Sequence, residues 1–452
     1  MMLRARLLDL LTRPQSVSTT YIAGRRQLVR AMKGNPLMER GYSLTESIRE
    51  LFKNLSFPGV TTGLIGALFS SMGPGMIVMN AAKQGKLPDE VAVSWIFIIF
   101  LMGGLATMFM ALYYRTPVVI AWSIPGAVLI GKYLAGGGTI YQAAGVYMTV
   151  ALVVLLLTAT GAIKAVIEHI PVPIMLGMVG GVLLSFGINA FGNAMKLPAV
   201  YGIMILVFAL WYYFKGLSSK IPGVVVAMIV GAVLLKVNGM TKSIPVAWEV
   251  ARPVFVSPEF SLKSIVELGI PLFFMVVGVQ NIQAVGVLLS RGYTPPVNAM
   301  YTVPSVITFI NALFCGHTGV TAGPSTAICS SDIAGPKEHR WIAAFFEGVF
   351  WVSIGLLAKI GVESAKLAPA EFMQVVAGLA MFEVFSSVFE IAFSQKFRKG
   401  ALVAFFVAAA NVSLFNIGAP FWAIVFGVLM SLITERDHFA FAAKKKAVEA
   451  AR

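Results

Sequence analysis

The sequence predicts an all-α polytopic membrane protein of 14 spans in two inverted halves of seven, with spans 3 and 10 each a short strand followed by a half-helix. Three observations predict it. The 452-residue chain is 58% hydrophobic and only 12% charged, where an ordinary soluble domain carries about a quarter of charged residues. Apolar runs of about 17–25 residues, each long enough to cross a bilayer core, recur from Phe57 to Ile433. Two prolines, Pro125 and Pro324, interrupt two of these runs at matching places 199 residues apart.

The elements follow in order. Residues 1–56 form an N-terminal region, polar, basic and loosely ordered through residue 42. Its opening, MMLRARLLDLLTR, is broken by Arg6 and Asp9 and is followed by no small-residue cleavage site. It therefore reads as a basic amphipathic tail on the cytoplasmic membrane surface rather than a signal peptide. Ser43 with Glu46 makes a capping box that opens an amphipathic helix to about Asn54. Spans are then predicted at 57–80, 91–112, 116–134, 141–160, 170–190, 199–214 and 221–237. A polar stretch, 238–262, divides the chain. The second set is 264–289, 299–315, 320–334, 340–358, 368–390, 400–416 and 418–434, ahead of a C-terminal tail, 435–452. The last two spans form one long run that Asn416, Gly418 and Pro420 break.

Charge orients this arrangement. The net charge is +15, and 25 of the 35 Lys and Arg residues fall in the tails and loops of one side. By the positive-inside rule both termini face the cytoplasm of a bacterial-type inner membrane. Leaving out spans 3 and 10 raises the inside count to 27, so charge fixes the termini and the even parity but not whether those two segments cross. The same basic residues carry no nucleic-acid-binding motif, and no nucleic-acid partner is expected. GAVLIGKY (126–133) approaches a phosphate-binding loop, but Tyr133 stands where Ser or Thr is required. No catalytic constellation, metal motif or cofactor motif is found, and an enzyme is not expected. Cys315 and Cys329 lie in or beside membrane segments and imply no disulfide framework.

The proline positions point to a binding site. In a bilayer, unpaired backbone groups cost several kcal/mol each, so a broken helix survives only inside protein or beside a wet cavity. Pro125 and Pro324 each suit the first turn of a helix, where no N–H is needed. The residues before them, 118–123 and 319–323, are expected to be extended. Two half-helices then aim their N-termini at one spot, each with roughly +0.5 charge and free N–H donors. The predicted contacts are Ser123, Ile124, Gly126 and Ala127 on the first tip, and Gly323, Ser325 and Thr326 on the second. Breaks at corresponding places of two halves are also the sequence pointer to a transporter site. A kink with Ser and Thr bonded back to the backbone is the alternative.

Three stretches carry a family resemblance: SWIFIIFLMGG…YYRTPVVIAWSIPGAVLIG, GVQNIQAVGVLLSRGYTPP followed by FCGHTGVTAGPSTAICSS, and HRWIAAFFEGVFWVSIGLLA. They resemble the benzoate–proton symporter (BenE-like) family, which in turn resembles the uracil-permease and sulfate-permease superfamily. The resemblance implies a seven-plus-seven inverted repeat, an elevator-like motion of a core domain against a gate domain, and a homodimer. Core halves then fall at 57–160 and 263–360, and gate halves at 161–238 and 361–434, with 239–262 the loop between repeats. It also implies a polar substrate contact from span 8, which maps onto Gln280 and Asn281. The chain departs from the family pattern at Ile124, where Thr is usual, in the Gly-Pro of 323–324, and in span 1, where Asn80 takes a Gln place.

Remaining candidates rest on residue type. Gln280 and Asn281 are adjacent amides about 100° apart on an apolar helix, so one of them faces the site or both bond neighbouring helices. Asn80 is their counterpart in span 1. Trp122, Phe69, Phe273, Phe274 and Phe314 are candidate walls for an aromatic ring, and Trp122 is the choice among them. Glu347 and Glu383 sit well inside spans, where a charged carboxylate costs roughly 2.5 kcal/mol or more, so both are proton-coupling candidates. His317 either relays protons or bonds backbone. The expected activity is proton-coupled symport of a small organic anion, benzoate or a similar aromatic carboxylate. The alternatives are an anion channel or uncoupled exchanger of the same fold, or a nucleobase-type symporter.

Overall fold

The computed structural model describes residues 37–439, apart from 170, 219–220, 242–248, 366, 395 and 416. The tail at 1–36, the tail end at 440–452 and the predicted break at Asn416 lie outside the described residues.

The predicted amphipathic helix is α1 (Leu44–Lys53), with Ser43 at its N-cap position, but Ser43 makes no side-chain cap bond. The segment ahead of it differs from the expected loose tail. Glu39 accepts bonds from the amides of Asn298 and Ala299 at 2.7 and 3.1 Å, and Thr302 donates to the Leu37 carbonyl at 2.7 Å. Tyr114 donates to the Glu39 carbonyl at 2.9 Å. The reason is local: a helix starting at Val297 leaves its first amides without partners, and a carboxylate supplied from residue 39 satisfies two of them.

The predicted first span is two helices, α2 (Phe57–Met72) and α3 (Pro74–Gln84). Gly73 joins them and Pro74 opens the second, because proline suits only a first turn. Next come α4 (Asp89–Tyr114), strand β1 (Ile120–Trp122), α5 (Ile124–Ala135), α6 (Ile140–Ala159) and α7 (Val172–Lys196). The first half closes with α8 (Ile203–Trp211) and α9 (Gly223–Val237). The second half opens with α10 (Leu262–Ser290), a continuous helical segment with wide π turns at Ile265–Gly269 and Met275–Gln280. Then follow α11 (Val297–Leu313), β2 (Gly319–Thr321), α12 (Gly323–Cys329), α13 (Trp341–Leu356), α14 (Ala358–Ala365), α15 (Ala370–Ala380), α16 (Phe382–Ser394), α17 (Arg398–Ala409) and α18 (Ala419–Thr434).

By length and composition, five helical segments among the described residues are long and apolar enough to cross a bilayer, or seven if each bent pair near α13–α14 and α15–α16 counts once. Those pairs bend by 66° and 46°. The other predicted spans fall on shorter helices or on the strand-plus-helix units.

Two packing groups stand out. In one, α13 lies against α4 and α2, α11 against α6, and α3 against α5. In the other, α7 is surrounded by α15, α16 and α17, and α17 packs on α18. Trp95, Trp341, Trp351, Tyr147 and Tyr301 are fully buried in the first group.

The strands cross at the centre of that group. They pair antiparallel, with Ala121 opposite Val320, and this central pair has the same 199-residue separation as the two prolines. A two-stranded ribbon leaves both outer edges unpaired, which costs heavily away from water. Side chains close them. Thr107 accepts from the Ile120 amide and donates to its carbonyl, both at 2.9 Å. Thr308 accepts from the Gly319 amide at 2.9 Å, and Asn281 from the Thr321 amide at 2.8 Å. β1 is thereby held from α4, and β2 from α10 and α11.

Candidate anion site at two helix tips

The ribbon delivers two helix N-termini to one place. On the first, Ser123 is the N-cap of α5: its hydroxyl oxygen accepts from the Gly126 amide at 3.0 Å and its hydroxyl donates to Gln280 Oε1 at 2.6 Å. Its carbonyl accepts from the Ala127 amide at 2.9 Å. The same carbonyl lies 2.8 Å from His317 Nε2, while His317 Nδ1 lies 2.9 Å from Trp95 Nε1. An indole N–H only donates, so Nδ1 accepts and Nε2 carries the proton that reaches Ser123. The second tip starts at Ala322 and has no side-chain cap. Thr326 Oγ1 is spent on the Val119 amide at 3.2 Å. Ser325 Oγ meets Ser70 Oγ at 3.1 Å, in α2 just before the Gly73 break.

A small cavity of about 40 Å³ lies between the tips. Its lining includes Trp122 and Ile124 from the first tip and Gly323, Pro324 and Ser325 from the second. Gln280 and Gln283 of α10, with Phe69, Ser70 and Pro74 of the first span, complete it. No Lys or Arg lines it, so backbone amides and hydroxyls are the donors available to an anion there. Phe69 also lines a wider crevice of about 410 Å³ that runs past Thr62, Tyr212, Val224, Ile328 and Leu379. Phe69 thus stands between the small cavity and the wide one.

Behind the second tip is Glu347, fully buried in α13. Cys329 Sγ lies 2.9 Å from Glu347 Oε2, Ser325 is close enough to interact with the carboxyl, and Oε1 has no hydrogen-bond partner. Gly66 of α2 makes room for this carboxyl: a Cβ there would come within 2.6 Å of Oε2. Among the described residues no group of three or more His, Cys, Asp or Glu side chains comes together.

The predicted residues sort as follows. Trp122, Ile124, Gln280, Gly323 and Ser325 line the cavity, and Ser123 reaches it only through its bond to Gln280. Gly126, Ala127 and Thr326 sit in the first turns of the two helices and are not among the lining residues. Asn281 turns the other way, its Oδ1 holding the β2 backbone. The π turn that ends at Gln280 sets which amide faces the cavity, because an extra residue in one turn rotates everything after it. Asn80, in α3, is not among the cavity-lining residues. His317 has both ring nitrogens engaged. The Glu383 side chain lies outside the described residues. Sequence reasoning missed Gln283, Ser70, Cys329 and Pro74. A signal existed for two of them: Gln283 follows Gln280 by three residues, one turn along the same helix face, and Pro74 is a helix breaker inside an apolar run.

The family model described as "Benzoate membrane transport protein" matches residues 53–433. The chain is 28% identical over 388 residues to "Inner membrane protein YdcO" of Escherichia coli (strain K12), covering 84% of this chain and 98% of that one. It is 28% identical over 392 residues to "Benzoate membrane transport protein" of Acinetobacter baylyi, covering 86% and 98%. Among solved structures it resembles SLC26A9, with TM-score 0.57 at 14% identity over 87% of this chain and 71% of that one. It also resembles the transmembrane domain of the bicarbonate transporter BicA of a cyanobacterium, with TM-score 0.52 at 15% identity over 88% and 99%.

Proposed function

The chain belongs to the benzoate membrane transport protein family, and on that premise we propose that it is a proton-coupled symporter of an organic anion, benzoate or a similar aromatic carboxylate. It is an integral membrane transport protein and not an enzyme. The finer reading has 14 spans in two inverted halves, with both termini cytoplasmic. The group containing the strands (57–160 and 263–360) is the moving core, the group around α7 (161–238 and 361–434) is the gate, and the unit is a homodimer. The shared 199-residue offset of the two prolines and of the central strand pair supports the inverted repeat.

The carboxylate binds between the tips, accepting from the Gly323 and Ser325 amides of α12 and from the surrounding hydroxyls. Gln280, fixed by Ser123, orients it. His317 is a positioning residue that fixes the Ser123 carbonyl. Glu347 carries the coupling proton. One observation carries this reading: Ser325 lines the cavity and also neighbours the buried carboxyl of Glu347. Occupancy of the tip and protonation of Glu347 are therefore felt through one hydroxyl. The cavity of about 40 Å³ holds a few waters, at roughly 10–15 Å³ each on this measure, and is smaller than an aromatic ring with its carboxylate. Phe69 swings aside on binding and joins the cavity to the crevice.

The test is uptake of labelled benzoate into proteoliposomes with and without an imposed inward proton gradient. Saturable uptake that accumulates only under the gradient is expected. Unsaturable or gradient-independent flux would instead fit a channel or an uncoupled exchanger, and uphill uptake retained by Glu347→Gln would remove Glu347 from the mechanism.

A further inference from the structure

A second cavity lies at the other end of the half-helix that carries the first tip. It has a volume of about 410 Å³ and is lined by Lys132 and Tyr133 of α5, Gln142 of α6, Lys263, Ser264 and Glu267 of α10, and by Asn411, Ser413 and Gly418. Lys132 is eight residues beyond Ile124, about 12 Å along the helix at 1.5 Å per residue. In the orientation proposed above, this end faces outward.

Several polar groups of this cavity are already engaged, and of its two lysines Lys263 is exposed whereas Lys132 is half-buried. Tyr133 Oη lies 2.8 Å from both Gln142 Oε1 and Ser264 Oγ, so it donates to the amide and accepts from the serine. Glu267 lies against Gly418 and has Lys263 one turn earlier to offset its charge. Lys132 is half-buried and makes no hydrogen bond or ion pair among the described residues. A lysine in the last turn of a helix is partly explained by the helix dipole. The dipole does not explain an uncompensated cation on the wall of a cavity of this size, where two opposed charges already balance. Such a cation attracts an anion more strongly beside low-dielectric walls than in bulk water.

We propose that this cavity is a second, outer anion site, which takes the carboxylate of the transported substrate on Lys132 before it reaches the tips. The inference rests on the organic-anion reading above and extends it to a site which the tips do not require. The carboxylate would lie against Lys132, with the Tyr133–Gln142–Ser264 chain as a polar wall. Asn411, Ser413 and Gly418 complete the lining, with Gly418 lying against the Glu267 carboxyl of α10.

Calorimetric titration of the purified full-length protein with sodium benzoate tests it, in wild type, Gln280→Leu, Lys132→Gln and Lys132→Arg. Two binding events are expected in wild type. Gln280→Leu should weaken the inner event about tenfold, Lys132→Gln should weaken the outer at least tenfold, and Lys132→Arg should keep it. Unchanged melting of Lys132→Gln checks that the fold is intact. A single event, weakened in Gln280→Leu and indifferent to Lys132→Gln, overturns the outer site and leaves the proposed function standing. A single event lost only in Lys132→Gln keeps the outer site and removes the tips as the binding place. No benzoate binding by wild type overturns both.

Discussion

The two helix tips occupy equivalent places, yet the chain has equipped them differently. The first belongs to a helix of 12 residues, is capped by Ser123, and is fastened by Gln280 on one side and by His317 with Trp95 on the other. The second belongs to a helix of seven residues, has no side-chain cap, and rests through Ser325 on Ser70, with Glu347 behind it. One tip spends its polar groups on rigidity. The other leaves amides open and sits beside a titratable group. In the proposed function this difference gives orientation of the substrate to the first tip and proton coupling to the second. A perfectly symmetric pair would have offered no reason for the two tasks to separate.

The largest expected effect falls on the second tip. Glu347→Gln is expected to abolish accumulation against a gradient while benzoate–benzoate exchange persists, read in proteoliposomes loaded with substrate. If exchange is lost as well, Glu347 itself serves binding, and the division of labour fails. Next comes the first tip. His317→Ala takes one of two partners from the Ser123 carbonyl and leaves the Trp95 indole N–H with none; at about 1–3 kcal/mol for a buried unpaired group, a lower melting temperature and a higher half-saturation constant are expected. The pH profile of transport should not move. A shifted profile would make His317 part of the proton path and erase the contrast. Smaller still, Gln280→Leu is expected to raise the half-saturation constant about tenfold, some 1.4 kcal/mol, with coupling intact.

The smallest effect lies outside both tips and checks that pH acts on transport through Glu347 alone. Burial holds the Glu39 carboxyl above its ordinary value, against the pull of its two amide bonds to Asn298 and Ala299. An acid whose folded-state value is raised binds its proton more tightly when folded. Its contribution to stability is complete below the ordinary carboxyl value and fades as pH rises through the raised one. Glu39→Gln should therefore flatten a slight fall in melting temperature over the range just above the ordinary carboxyl value, without altering the proton dependence of uptake. Altered coupling in this variant would show a second route for pH.

Much of the site was legible because its signals are local. Pro125 and Pro324 mark helix starts by their own geometry, and Gln280 is conspicuous as an amide in an apolar helix. The pairing of Ser70 with Ser325 spans 255 positions in the chain, and that of Trp95 with His317 spans 222. No periodicity reports such contacts. Asn281 shows the same limit at short range. Side by side with Gln280 in the sequence, it serves the strand rather than the cavity, because a π turn fixed the rotation of α10.

By itself the sequence determined that the chain is a helical membrane protein, where its apolar segments lie and that two of its helices begin at Pro125 and Pro324. Those properties follow from hydropathy and from the missing N–H of proline, both carried by single residues and their neighbours. Tertiary structure alone decided that the two breaks face each other, that one tip is fastened and the other open, and that a carboxyl stands behind the open one. Hydrogen bonds between distant segments form only after the backbone has folded, and they are what made two similar helix starts into unlike halves of one site.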